Sequence, residues 1–433
     1  MPMPTIPQDF VSLMQEHYGQ EEAERLCQAL QETDPSVSVR LNVRKMQSCM
    51  PASEVEAARQ HLDRLYSAVP WCPYAWYLPR RPAFTCDPLL HAGAYYVQEA
   101  SSMYVADLLR RYLPSAGTEG QLPLAALDLC AAPGGKSTLL AGLLPQGSVL
   151  VSNEVMPKRA LILAENMTKW TAGMPEGAYP VNSMVTQNRP SDFAAFDEQF
   201  DVLVTDVPCS GEGMFRKDEQ AVSDWSLDNV EQCRQRQREI LEDILHVLRP
   251  GGLLLYSTCT FNRFEDEENA RFACQLMGGE LLEERHFLPG RDRGEGFYVA
   301  AIRKPVQPDS FNEALADVFA EARPSHIATT EQEAQEQLTR VKSLVHRFLR
   351  ILYDAEKTYA SAEALPQVSL SYDEALQYLR REAVRVEAPR GMVTLCHRGF
   401  PLGHGKCVGN RINNLYPMEW RIRSGYTTPF TLF

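Results

Sequence analysis

The sequence predicts an α/β fold, a doubly wound, mainly parallel sheet, with a small N-terminal α+β unit before it and a small C-terminal β-rich module after it. Three observations predict this. From Leu124 to about Lys304 six apolar runs, LAALDLCAA, GSVLVSNEV, GAYPVNS, FDVLVTDVP, GGLLLYSTCT and GFYVAAIRK, are separated in several places by amphipathic helical stretches. Continuous apolar runs alternating with helices imply parallel strands covered on both faces. Ahead of them, a helical pattern leads into PSVSVRLN (Pro35 to Asn42), which alternates as a strand does, and then a loop-rich segment with Trp71 and Trp76. Behind them, the helix-like SYDEALQYLRRE is followed by short strand candidates separated by Gly, Asn and Pro. The expected boundaries are 1–95, 96–305, 306–365 and 366–433. The third segment is a linker, Ala- and Glu-rich through about Gln337, with a helical connector, VKSLVHRFLRILYDA. The helix ending at HVLRPGG is expected to stop at its proline and glycines.

Composition narrows the class. A chain of 433 residues has room for two to four domains, at roughly 100–200 residues each. No stretch approaches the ~20 apolar residues of a membrane span, and MPMPTIPQDF lacks the basic flank and apolar centre of a signal peptide. A soluble, cytoplasmic protein is expected. The 11 cysteines are scattered singly with no CxxC pair, which suggests neither a zinc ribbon nor a disulfide framework. The net charge of −13 argues against coating nucleic acid by bulk electrostatics. The stretch from Arg390 onward is different: Arg390, Arg398, Lys406, Arg411, Arg421 and Arg423 face only Glu419.

ALDLCAAPGGKSTLLAG (Ala126 to Gly142) reads as a strand, a glycine turn and a helix. A phosphate-binding P-loop requires glycine five positions before Gly135, where Cys130 stands, and GxGxxG is absent. Nucleoside ligands of doubly wound folds nonetheless bind at the carboxyl ends of the strands, where Gly134 and Gly135 let the backbone come close. Glu154 ends the next strand and suits ribose hydroxyls. Alternatively, the glycines simply make a turn and Glu154 is a solvated acid. The thiol of Cys209 follows Pro208 at the end of FDVLVTDVP, a position where a side chain can pack, bind or react. Cys259 in YSTCT holds the equivalent position one strand later. Asp206 alone could cap the turn into SGEG.

DLCAAPGGKS, TDVPCSGEGMFRKD and YSTCTFNRFEDEENA resemble, in order, three signature motifs of the Nop/Sun family of RNA cytosine-C5 methyltransferases. GEGMFRKD and the basic C-terminal module resemble the bacterial branch that modifies 16S ribosomal RNA. The resemblance spans roughly residues 36 to 304, and the tail. It implies a Rossmann-like domain dependent on S-adenosylmethionine, held by Cys130, Ala131, Ala132, Pro133, Gly134, Gly135, Lys136, Glu154 and Asp206, with Asn182 on the adenine side. It implies that Cys259 attacks C6 of the base, that Cys209 assists release and that Asp206 sits near the base. A thiolate added to C6 turns C5, otherwise a poor nucleophile, into an enamine-like carbon.

The resemblance further implies an RNA partner, 16S ribosomal RNA or the small subunit, bound with help from the N- and C-terminal modules. A monomer acting in the cytoplasm, without metal or membrane, is expected. SVRLN and YYVQEASSMYVADLL also resemble family segments. Tyr95 and Tyr96 are candidates for stacking on bases, and Arg216 and Lys217 for phosphate contacts. The acidic run Glu265 to Glu268 is expected to start a helix against its dipole. Two other readings compete: a DNA cytosine-C5 methyltransferase, in which Cys209 itself would attack, and a non-catalytic RNA-binding assembly factor.

Overall fold

The computed structural model describes residues 6–113, 122–172, 181–306, 328, 330–356, 365–425 and 429–433. Residues 177–180 of GAYPVNS and most of the expected Ala- and Glu-rich linker lie outside this set. The N-terminal unit opens with two helices, Gln8–Tyr18 and Gln20–Glu32, hinged at Gly19, whose φ of +81° favours glycine. Apolar residues three and four apart (Phe10, Leu13, Met14; Ala23, Leu26, Leu30) are buried on one face. A small antiparallel sheet follows: β1 (Val37–Leu41), β2 (Ser67–Ala68), β3 (Ala75–Leu78) and β4 (Tyr95–Val97), in the spatial order β2-β3-β1-β4.

The central sheet has eight strands: β5 (Ala125–Asp128), β6 (Ser148–Asn153), β7 (Val181–Thr186), β8 (Phe200–Asp206), β9 (Leu248–Thr258), β10 (Glu280–Phe287), β11 (Phe297–Arg303) and β12 (Ile351–Asp354). Their order is β10-β11-β9-β8-β5-β6-β7-β12. β5 to β9 run parallel; β10 and β11 return antiparallel beyond β9, and β12 pairs antiparallel with β7. This is the doubly wound, mainly parallel sheet that the apolar runs predict. Its two faces are covered separately. Leu139, Leu140, Leu163 and Met167 pack on the side of Ala126, Leu150 and Val204. Leu241, Ala270 and Val341 pack on the side of Leu127, Val151 and Leu203. Chain order reverses between β5 and β8, which opens a crevice at their carboxyl ends.

Two local expectations need correction. The helix before β9 ends at Ile244, and Pro250, Gly251 and Gly252 lie inside β9 rather than closing the helix. Asp201 pulls Arg249 into the core through a 3.2 Å ion pair, and the pairing of β8 with β9 skips from Phe200↔Leu248 to Val202↔Leu253, so the Pro-Gly-Gly segment forms a bulge. Within the stretch expected as linker and connector, helix Glu331–Phe348 packs on the sheet and β12 extends it.

The C-terminal module has four strands in order, β13 (Gln367–Ser369), β14 (Gly391–His397), β15 (Phe400–Cys407) and β16 (Ile412–Asn414), with helix Tyr372–Leu379. It does not stand apart. Val368, Phe400 and Leu432 share one core with Val39, Trp76 and Tyr95 of the N-terminal unit. The Tyr372 hydroxyl donates to Cys86 O (2.6 Å), and Leu432 N donates to the buried Asp87 carboxylate (2.9 Å). Arg390, Arg398, Lys406, Arg411, Arg421 and Arg423 are all exposed.

Candidate active site

The loops that leave β5, β8 and β9 meet at the crevice and, with β4 and the start of β11, enclose a cleft of about 350 Å3. Cys130 to Pro133, Gly135, Lys136, Asp206 and Cys259 line it, so most of the expected site residues are brought together. Gly134 has φ +115° and turns the loop into helix Gly135–Leu143. Gly135, the first residue of that helix, lies against the Gln98 side chain at the cleft wall. Arg40, in β1 and buried, fixes the helix from the far side by donating to Thr138 Oγ1 (2.8 Å) and Gly135 O (3.3 Å).

Lys136 Nζ lies 2.8 Å from Asp206 Oδ2 and 4.8 Å from the centre of the Phe297 ring. Ser257 Oγ donates to the other Asp206 oxygen (2.8 Å), so the carboxylate at the end of β8 is held between the helix that carries Lys136 and β9. Asp128, which the sequence reading passed over, is buried at the end of β5. Its Oδ2 accepts from Ser137 Oγ (2.6 Å), and its Oδ1 has no hydrogen-bond partner. Glu154 is also buried: Oε1 accepts from Met156 N (2.9 Å), while Oε2 makes no hydrogen bond and lies 3.5 Å from Arg159.

Cys209 and Cys259 stand at neighbouring strand ends with their sulfurs 3.2 Å apart. The hydrogen bond with Cys259, burial and the nearby Glu265 charge push the Cys209 thiol well above its usual pKa, so Cys209 keeps its proton. Two buried acids hold these loops. Burial raises the Glu212 carboxyl to about 7 and raises Glu265 as well, against the hydrogen-bond donors that favour their charged forms. The N-terminal hairpin backs the second loop: Tyr18 OH donates to Phe261 O, Arg263 N donates to His17 Nδ1 (3.2 Å), and Phe10 packs against Phe215, Trp225 and Phe261.

Other expected residues are placed elsewhere. Asn182 is the second residue of β7, paired with Val149 near the start of β6, which puts it at the amino end of the sheet, away from the crevice. The strand runs on to Thr186, and Asn188 beyond it uses its side chain on the backbone of Arg350. Tyr95 is a core residue that donates to Asp87 (2.9 Å), whereas Tyr96 lines the cleft and donates to Pro133 O (3.2 Å). Arg216 is buried against Glu295 (3.1 Å) and donates to Thr33 Oγ1 (2.7 Å), so it is not offered to phosphate; Lys217 remains exposed at the cleft. The acidic run splits: Glu267 begins a helix as expected, while Glu265 and Asp266 turn inward, and Asp266 accepts from Thr258 and Thr260.

The family described as 16S rRNA methyltransferase RsmB/F matches residues 119–303. The N-terminal domain of 16S rRNA methyltransferase RsmF matches 6–100, and the methyltransferase RsmF PUA domain matches 366–422, so the matches follow one another along the chain. The chain belongs to the RsmB/F methyltransferase family. Among the proteins it is similar to, ribosomal RNA small subunit methyltransferase F of Cronobacter sakazakii is 29% identical over 81% of this chain and 84% of its own length. The protein of the same name from Photobacterium profundum is 26% identical over 96% and 98%. Two solved structures share the fold: PH0851 (TM-score 0.57, 22% identity, 69% of this chain and 66% of that one) and NSun6 from Pyrococcus horikoshii with SFG (0.54, 18%, 69% and 98%).

S-adenosylmethionine is the cofactor of this RsmB/F methyltransferase. The cleft fits it on independent grounds. Asp128 Oδ1, in the cleft lining, is buried without a hydrogen-bond partner, and an acid there suits a cation bearing an amine and ribose hydroxyls; Glu154 Oε2, likewise without a hydrogen bond, lies outside the lining beside Arg159. Burial raises Asp128 to about 7, chiefly against the bond from Ser137 and the charge of Lys136. Between about pH 4, where a free Asp releases its proton, and pH 7, the folded protein retains a proton that the unfolded chain has lost. This group therefore lowers stability as pH rises through that window, by at most about 1.4 kcal/mol per unit. Asp128→Asn removes the contribution. Urea midpoints of the cofactor-free protein at pH 5 and 7 are expected to fall more for wild type than for the variant, and equal falls would contradict the assignment.

Proposed function

We propose that the protein methylates C5 of a cytosine in small-subunit ribosomal RNA, in the cytoplasm, through a covalent bond between Cys259 and C6 of the base. The observation that carries this reading is the contact between the Cys209 and Cys259 sulfurs beside a cleft suited to the methyl donor. The names of the relatives supply the RNA: both are called ribosomal RNA small subunit methyltransferases. The exposed basic residues from Arg390 to Arg423, in the part matched by the PUA domain, supply a surface for phosphates.

In this mechanism the target cytosine leaves its stack and enters the cleft beside Cys259. The Cys259 thiolate adds to C6, and the C5–C6 electron pair moves onto C5. Asp206, held by Lys136 and Ser257, accepts from N3–H of the ring once N3 is protonated, and so stabilises the cationic ring whose C6 is more electrophilic. The loop from Cys130 to Lys136, with Asp128, would hold S-adenosylmethionine, whose sulfonium would offer C5 an electrophilic methyl group, the S–CH3 bond breaking to leave the neutral thioether S-adenosylhomocysteine. The C5 proton then passes to water, its bonding pair re-forms the C5–C6 double bond, and the C6–S bond breaks to return the Cys259 thiolate. Cys209, 3.2 Å from that sulfur and holding its proton, is placed to donate a hydrogen bond to the departing Cys259 thiolate and so assist release.

Cys209→Ala is therefore expected to accumulate a covalent protein–RNA adduct that survives denaturing electrophoresis. The substrate is small ribosomal subunits from cells lacking the protein, supplied with S-adenosylmethionine. Those cells are also expected to lack one 5-methylcytosine in the small-subunit RNA. An adduct in Cys259→Ala instead, the outcome expected of a DNA-type enzyme that attacks with Cys209, would reverse the two roles.

A further inference from the structure

Two buried carboxylates cross between the cysteine loops. Glu212 belongs to the loop of Cys209, yet it accepts from the backbone N–H groups of Phe261 (2.6 Å) and Asn262 (3.1 Å), in the segment following Cys259. Glu265 belongs to that second segment, yet it accepts from the N–H of Ser210 (3.0 Å), next to Cys209. The Asn262 amide bridges them, donating to Glu212 (3.0 Å) and Glu265 (2.9 Å). Trp225 Nε1 donates to Glu212 (3.0 Å), and Gln237 Nε2 donates to Glu265 (2.7 Å) and to Pro208 O (3.0 Å). Both acids are fully buried.

We propose that Glu212 and Glu265 are positioning residues exchanged between the loops: Glu212 orients Cys259 for attack, and Glu265 orients Cys209 for release. The proposal rests on the roles given to the two thiols above. Its physical basis is that these are the buried side chains that each accept backbone N–H groups from the opposite loop. Beyond the end of β8 two backbone bonds, Val207 N to Ser257 O (3.1 Å) and Gly213 N to Cys259 O (2.8 Å), tie the Cys209 loop to the Cys259 segment. The carboxylates satisfy buried N–H groups that would otherwise be unpaired, a loss the folded loops would have to relieve by moving. Their hydrogen-bond neighbours named here are all donors. Glutamine at either position would turn an NH2 group against those donors while leaving size nearly unchanged. A displacement of about 1 Å in a reacting group is enough to cost on the order of 100-fold in rate.

The test compares Glu212→Gln, Glu265→Gln, Cys209→Ala and Cys259→Ala, using the same small subunits and radiolabelled S-adenosylmethionine. Turnover, the amount of covalent adduct and cofactor affinity are read in each. Both glutamine variants are expected to lose about 100-fold in turnover while cofactor affinity stays within about threefold. Glu265→Gln is expected to accumulate adduct, matching Cys209→Ala, although Glu265 lies in the Cys259 segment. Glu212→Gln is expected to form none, matching Cys259→Ala, although it lies in the Cys209 loop. If a glutamine variant fails to bind cofactor, the aspartate variant, which keeps the charge and loses one methylene, is read the same way. Wild-type turnover, or the same adduct level in both variants, overturns the crossed assignment. If Cys209→Ala itself traps nothing, the thiol roles fail first and the positioning falls with them; if it traps adduct and Glu265→Gln does not, the positioning alone is wrong.

Discussion

Cys259→Ala is expected to lose methyl transfer to small-subunit RNA by roughly 10,000-fold or more, the scale seen when a covalent nucleophile is removed, while still binding S-adenosylmethionine. The argument is chemical. Without a bond at C6, C5 of cytosine has too little electron density to displace a methyl group, and no other described side chain at the cleft stands where Cys259 does. Cys209 is the nearest thiol, but it is held protonated by its neighbour, by burial and by Glu265. Removing Cys259 takes away the hydrogen-bonding neighbour that raises Cys209 most, yet burial and Glu265 still oppose its ionisation. Cys209 is therefore not expected to substitute. Methylation assayed with radiolabelled cofactor, alongside calorimetric cofactor binding, checks both halves of the prediction. Retention of more than a hundredth of wild-type turnover would rule out Cys259 as the attacking group.

Asp201→Ala is expected to cost about 3–5 kcal/mol of stability, the range for removing one partner of a buried ion pair. Asp201 and Arg249 are each about 1% exposed. The carboxylate accepts from Arg249 Nη1 (3.2 Å), Ala125 N (2.8 Å) and Gln337 Nε2 (3.0 Å), so it joins β9, β5 and helix Glu331–Phe348 to β8. Alanine leaves a guanidinium in the core without its counter-charge. The control is the double variant Asp201→Leu with Arg249→Met, expected to recover much of the loss because it removes both charges. Denaturant titration measures each. A cost below about 1 kcal/mol for Asp201→Ala would mean that Arg249 reaches solvent or another acid after the change.

The central sheet was legible because each parallel strand is a short apolar run, and because glycines and prolines mark the loops after β5 and β8. Cys130 to Lys136, Asp206, Cys209 and Cys259 could be placed at strand ends for the same reason. Asn182 was misplaced because the strand beginning at Val181 reads as though it ends there: the polar pair Asn182 and Ser183 interrupts the apolar pattern, although the backbone continues to Thr186. Arg216 stood as a candidate for phosphate contacts because its partner, Glu295, is distant in sequence. Asp128, Glu212 and Glu265 gave no signal that separates them from exposed acids. Their burial follows from donors on other segments, Ser137 for Asp128, Phe261 for Glu212 and Ser210 for Glu265, and only the assembled sheet brings those together.

The shared core of the two small modules bears on how the chain is made. Val39, Trp76 and Tyr95 emerge early from a translating ribosome, whereas Phe400 and Leu432 emerge some three hundred residues later. At synthesis rates of about 5–20 residues per second, the N-terminal module keeps an apolar flank uncovered for tens of seconds while the methyltransferase sheet folds. Closure waits for Leu432 to reach Asp87. Translation past the catalytic domain is thus also the interval in which this nascent protein is most exposed to chaperones and to aggregation.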